Sequence, residues 1–242
     1  LDIDALLGPE LAVELASWDV SDLRYSGEYT IEKDLNWKFA NDTFGETYHF
    51  QKLHKDTLGQ LYIGNNLHFH EFGRHHRFVT ASYGIHELRD RPESEWNVDT
   101  STFVLYYLFP NIHFLTNRDS ATLIRIYPDP GDPGRSITKI SFYFGADTLA
   151  AFAAAEAAGQ AVEDVYDRDA MSTGTPYGIE ALMEVFYSTV ELEDYAMGEM
   201  QQRAAESGML DAVVFGRNEP ALHHFHRSFR EALGQQPLDV VG

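Results

Sequence analysis

No cysteine occurs among the 242 residues. Disulfide bonds, thiolate zinc sites, cysteine nucleophiles and any iron–sulfur cluster held by these residues themselves are thereby excluded. Basic side chains are also scarce: 18 Lys and Arg stand against 38 Asp and Glu, a formal net charge of −20. Such a surface repels a phosphate backbone or an anionic membrane, so neither nucleic acid nor a membrane is an expected partner. No apolar run approaches the roughly 18 residues of a spanning helix. The opening residues LDIDALLGPELAVEL lack the basic and apolar regions of a signal peptide. The expectation is a cytoplasmic protein. Core material is ample, with 44% apolar and 13% aromatic residues, enough for a single domain over residues 1–242.

The texture of the chain changes once. Asn36 or Asn41 caps an expected short helix over Trp37 to His54. Runs rich in β-branched and aromatic residues follow at Gln60–His70, Arg77–Gly84, Thr102–Phe109, His113–Asn117, Thr122–Tyr127 and Ser136–Gly145. Short turns join them, as at Asn117–Asp119 and in the loop PDPGDPG, so the strands pair antiparallel. Beyond Gly145 the pattern is helical: an alanine-rich run closed by Gly159, a longer segment from about Pro176 to Ser207, and a last helix begun by Pro220. In the longer segment Ile179, Leu182, Met183, Phe186, Val190 and Met197 form one apolar stripe. Strands followed by helices predict an α+β fold, an antiparallel sheet covered on one face by long helices.

Eleven histidines are many for this length, and they cluster. Two histidines with one carboxylate form the facial triad of non-haem Fe(II), which leaves coordination positions open for dioxygen. In NWKFANDTFGETYHFQKLH, Glu46 precedes His49 by one helical turn. That is the spacing of a carboxylate that orients a metal-bound imidazole. His54 lies about 140° around an ideal helix from His49, so both reach one ion only where the helix is distorted or ends between them. His68 and His70 share one strand face, and His223, His224 and His226 sit on the last helix, where imidazoles need not converge.

This segment resembles the iron-ligand signature of the catalytic domain of Rieske non-haem iron ring-hydroxylating oxygenases, alpha subunit. That signature is matched here by Asn36, Trp37, Lys38, Asn41, Glu46, Tyr48, His49 and His54. Phe109, Pro110 and Asn111 match a further family feature, and FGRNEPALHHFHRSF is similar to the end of many such subunits. In VELEDYAMGEMQQ, Asp194 stands at the position of the third ligand, followed by Glu199, Gln201 and Gln202. Helical geometry alone does not choose between Asp194 and Glu193, since both flank the apolar stripe.

The resemblance implies a helix-grip, START-like fold, a curved antiparallel sheet gripping a long C-terminal helix, in which His49, His54 and Asp194 hold mononuclear Fe(II). It also implies that Glu46 bridges an iron-ligating histidine to the cluster of a neighbouring subunit in a homotrimer, with or without beta subunits. Electrons would come from NAD(P)H through a ferredoxin and/or reductase and a Rieske [2Fe–2S] cluster. With no cysteine here, that cluster is expected from a missing N-terminal Rieske domain or another chain. Oxygen from O2 would be inserted into a small aromatic or other hydrophobic substrate. Asn41, Phe50, Phe186, Tyr187 and Val190, near the ligands in sequence or one to two turns away, are the candidate substrate contacts. Two other classes remain: a START-like carrier of hydrophobic ligands without chemistry, and a zinc hydrolase using the same histidines.

Overall fold

Residues 2–97, 101–159, 178–209 and 212–240 are described by the computed structural model. Seven strands form one antiparallel sheet: β1 (Arg24–Lys33), β2 (His68–Phe72), β3 (His75–Ala81), β4 (Thr102–Leu108), β5 (Ile112–Thr116), β6 (Ser120–Pro128) and β7 (Ser136–Phe144). Their order across the sheet is β1-β7-β6-β5-β4-β3-β2. The helices are α1 (Ile3–Leu7), α2 (Pro9–Ala16), α3 (Trp37–Asp42), α4 (Ile85–Leu88), α5 (Ala146–Ala157), α6 (Ile179–Ser188), α7 (Tyr195–Glu206) and α8 (Pro220–Ala232). The fold class is the expected α+β. Among the described residues no helix is long and apolar enough to cross a membrane.

Period-two alternation divides the sheet residues between its faces. Leu11 of α2, with Leu15 and Trp18, covers Val104, Tyr106 and Phe72 on one face. The other face presents Ile31, Ile124, Ile126, Ile140 and Phe142 to Met183, Val190 and Tyr195 of the long C-terminal helical segment. Burial of each such side chain contributes about 1.5–3 kcal/mol, and His49, His54 and Asp194 lie beside this second face.

Several elements depart from the sequence expectation. The run at Gln60–His70 yields a strand only from His68, because Gly64–Asn66 turns the chain and Asn66 Oδ1 accepts from Thr80 Oγ1 at 2.6 Å. The edge strand β1, not anticipated, hides its alternation of Tyr29 and Ile31 among charged neighbours. The expected helix Trp37–His54 stops at Asp42 and resumes as a single 3₁₀ turn at Tyr48–Gln51. At Gly45, in the break, a Cβ would lie 2.1 Å from Leu222 Cδ2, so any larger residue there would force Leu222 of α8 to shift. The long helix is interrupted by a π turn at Thr189–Asp194, and the start expected near Pro176 lies outside the described residues. The extra residue of the π turn rotates the succeeding helix, so Tyr195, Gly198 and Gln202 face inward and Met197, expected on the stripe, is 38% exposed.

A row of rings crosses β3, β4 and β5 on the inner face: His76, Tyr107 and His113, with centroids 4.9 and 5.4 Å apart. His224 of α8 donates from Nε2 to Gly73 O at 2.9 Å, so its Nδ1 accepts from His76 Nδ1 at 2.9 Å. Burial disfavours the charged form of both rings of this pair. Burial holds His76 well below the usual imidazole range and lowers His113 to about 3. The unfolded chain therefore binds more protons than the folded one below about pH 6.5, and stability falls as pH falls. His113 contributes about 1.4 kcal/mol per pH unit in that window, and His76 adds a loss of the same sign. Urea unfolding at pH 7 and pH 5 should differ by at least about 2 kcal/mol, whereas equal midpoints would mean that these imidazoles are not kept neutral by burial.

Candidate metal centre

Asn36 starts the site. Its Oδ1 accepts from Lys38 N at 2.8 Å and caps α3, while Trp37 packs edge-on against Phe225 and Phe229 of α8. At the other end of α3, Asp42 accepts from His226 Nε2 at 2.9 and 3.0 Å. The chain then turns at Gly45, and Glu46 takes over the role of a cap for the 3₁₀ turn: Oε2 accepts from His49 N at 3.2 Å. Its other oxygen, Oε1, pairs with His49 Nδ1. After His49 the backbone turns again, with Lys52 N and Leu53 N both donating to His49 O at 2.9 and 2.8 Å. Gly59 closes the next turn against His54 O at 2.8 Å. A Cβ on Gly59 would sit 2.4 Å from Phe50 O, so this close return requires glycine. The two histidines meet because helix α3 ended before them.

The third group comes from the π turn. Asp194 Oδ1 lies 3.1 Å from His54 Nε2 and 3.5 Å from His49 Nε2. One ligand atom each from His49, His54 and Asp194 falls within 4.8 Å of the others, the one group of this kind among the described residues. His54 and Asp194 are buried, at 1% and 7% exposure. Adjacent Glu193 does not share this position: its Oε2 reaches His54 Nδ1 at 2.7 Å, on the opposite edge of the ring. Both imidazoles therefore have Nδ1 against a glutamate and Nε2 against Asp194.

This arrangement sets the charges. Burial alone would lower the His49 imidazole, but hydrogen bonds with Asp194 and Glu46 outweigh it and raise it to about 9. Burial opposes ionisation of His54 as well, yet Asp194 and Glu193 carry it upward. For Asp194, burial works against the carboxylate and the two histidines more than compensate, so it stays below its ordinary range. Two imidazole nitrogens and one carboxylate oxygen, each aimed at a common point, suit a divalent cation of the Fe(II) or Zn(II) type. With Nδ1 of each ring against a carboxylate, Nε2 is the atom that would face the ion once its proton is released.

A cavity of about 300 Å3 opens beside these groups. The sheet supplies its floor with Phe78, Phe103, Leu105, Leu115 and Ile124, and α6 with the π turn roofs it with Leu182, Phe186 and Val190. Phe50, Phe186 and Val190 of the expected substrate contacts line it. Asn41 and Tyr187 do not. Asn41 is turned into the core, its Oδ1 accepting from His113 Nε2 at 2.8 Å, and Tyr187 stacks on Tyr29 with ring centroids 4.7 Å apart. The floor residues went unnoticed in sequence because strand pairing alone brings them together, although each belongs to an alternating run. On the far side of Glu46, His49 and Asp194 lies a second, more polar groove of about 900 Å3, bordered by Lys52, Tyr48 and Glu219. Phe109, Pro110 and Asn111 are in neither cavity; Asn111 Nδ2 donates to Ile126 O at 2.8 Å and secures the β4–β5 turn.

A family model described as "Ring hydroxylating alpha subunit (catalytic domain)" matches residues 20–235 of this chain. The quaternary ammonium Rieske monooxygenase CntA in complex with L-carnitine superposes at a TM-score of 0.62 with 17% identity, over 98% of this chain and 56% of that one. Dicamba monooxygenase bound to 3,6-dichlorosalicylic acid superposes at 0.53 with 11% identity, over 87% of this chain and 59% of that one. NdmA of Pseudomonas putida with caffeine gives 0.50 and 16% identity, over 89% and 57%. The chain thus spans little more than half the length of these structures. A sequence comparison with curated proteins gave no match.

Proposed function

As the chain belongs to the family of ring-hydroxylating alpha-subunit catalytic domains, we propose that it oxygenates a small, uncharged, apolar or aromatic substrate at a mononuclear Fe(II) held by His49, His54 and Asp194. One observation supports this above all: the three donor atoms converge at the edge of an apolar cavity. Iron bound there would supply the redox chemistry that activates O2. The chain's own residues do the rest. Glu46 and Asp194 fix His49 from both ring nitrogens. The cavity keeps bulk water from the reacting centre, which limits unproductive reaction of activated oxygen. Phe50, Phe186 and Val190 bring a flat apolar molecule against the ligands by shape; of the wall's threonines, Thr43 Oγ1 donates to Ala40 O at 2.8 Å, while the buried Thr189 Oγ1 has no partner among the described residues.

Electrons would enter from NAD(P)H through a ferredoxin and/or reductase and a Rieske cluster carried outside these residues. Glu46 faces both the apolar cavity and the polar groove, a position suited to linking the metal histidine with such a donor. Assembly as a homotrimer in the cytoplasm, with or without beta subunits, belongs to the same reading. A carrier without chemistry would use the cavity equally well, but it gives no account of three convergent ligands. The test is metal content after anaerobic incubation with Fe(II) and removal of excess. About one iron per chain, lost in His49→Ala, is the expected result; a folded wild-type chain that retains no iron would refute the proposal.

A further inference from the structure

Glu193 has no part in the proposed function, although this acid makes one of the shortest polar contacts at the centre. Its Oε2 lies 2.7 Å from His54 Nδ1 and 3.5 Å from Thr57 Oγ1. Successive side chains on an α-helix diverge by about 100°. Here two successive acids grip one imidazole from opposite edges, Asp194 at Nε2 and Glu193 at Nδ1. The exception occurs inside the π turn Thr189–Asp194, where the wider turn changes the angular spacing of neighbours. The result mirrors the other histidine, whose Nδ1 is paired with Glu46 and whose Nε2 faces Asp194.

We infer that Glu193 is a positioning residue for His54: it accepts the Nδ1–H, holds the Nε2 lone pair toward the metal, and strengthens the imidazole as a donor. The π turn is the device that allows adjacent acids to serve one ring. This role rests on the proposed metal centre, and it adds a second carboxylate–histidine pair to the one made by Glu46. Groups of this kind typically alter metal affinity by about 10–100-fold when removed. Glu193 is also partly open to solvent, with its side chain 24% exposed, so replacing it leaves the core intact.

Co(II) alone serves as the probe, titrated into the full metal-free chain and followed by its visible ligand-field absorption. Glu193→Ala should weaken Co(II) binding about 10–100-fold and shift the absorption bands, because the His54 ring is released from its orientation. Glu193→Gln keeps an oxygen that can accept the Nδ1–H and should recover part of the affinity, and its near-identical shape guards against a folding artefact. Wild-type affinity and spectrum in Glu193→Ala would overturn the inference. Complete loss of Co(II) in both variants would overturn it too, by making Glu193 a ligand. A wild-type chain that takes up no Co(II) would instead remove the metal centre itself, and the wild-type titration alone distinguishes that failure.

Discussion

Replacement of Asp194 by alanine should abolish stoichiometric metal binding. Structural Zn(II) in zinc-finger peptides binds with apparent free energies of about 10–16 kcal/mol, so on that scale one ligand of three or four carries several kcal/mol, on the order of a hundredfold or more in affinity. Asp194 is the sole carboxylate that faces Nε2 of both histidines, at 3.1 and 3.5 Å, so no neighbouring side chain among the described residues is placed to substitute for it. Glu193, held at the far edge of His54 by a 2.7 Å contact, would have to leave that position to do so. Calorimetric titration of Asp194→Ala and Glu193→Ala with Co(II) checks the order of the two losses. A larger loss in Glu193→Ala would move the third ligand by one residue.

The second large effect is on the pH dependence of metal uptake. In the metal-free chain, burial disfavours the His49 imidazolium, but Asp194 and Glu46 overcome it and raise the group to about 9. A metal ion needs the same Nε2 lone pair that this proton occupies, so binding below about pH 9 must release a proton. Apparent affinity should therefore rise about tenfold per pH unit for each proton displaced, or about 100-fold between pH 6 and pH 8 for His49 alone. His54, raised by its own carboxylate partners against its burial, steepens the dependence. Calorimetry in buffers of different ionisation enthalpy counts the protons directly, and a profile flat in pH with no proton release would show that His49 is already neutral.

At this pair of histidines the stability of the metal-free fold has the opposite dependence. A histidine whose folded value is raised stabilises the chain fully below the unfolded value of about 6.5, and that contribution fades as pH rises through about 9. Removing metal should thus make the chain comparatively better suited to mildly acidic solution at this site. The buried row of His76 and His113 acts against that trend, since burial keeps both rings neutral. Separate measurement with and without Co(II) resolves the two contributions, because the proposed site engages His49 and His54 and neither His76 nor His113.

Much of this arrangement was legible in the residues. The alternating runs that became β4 to β7 lie within two residues of their expected limits, because strands whose two faces differ in polarity print that difference with period two. Pro220 at the start of the last helix was equally readable, since its fixed φ suits the first turn. The histidine and acid types at 46, 49, 54 and 194 were singled out by their spacing and their resemblance to one family. Asn41 and Tyr187 were not placed by such reasoning, because nearness in sequence does not say which way a side chain turns. One is engaged with His113 and the other with Tyr29.

The sequence by itself determined which chemistry was available: no thiolate, imidazole and carboxylate at workable spacing, and apolar side chains enough to enclose a substrate. Tertiary structure decided how those groups meet. The helix ends at Asp42, and Gly45 in the break lies close against Leu222 of α8; in a continuous helix His49 and His54 would diverge by about 140°. Asp194 lies against Nε2 of both histidines and Glu193 against Nδ1 of His54, an arrangement made within a π turn. The cavity floor depends on strand order, which sets Phe78, Leu105 and Leu115 side by side across β3, β4 and β5. Local preference is a short-range free energy, whereas these features are fixed by contacts between segments far apart in the chain.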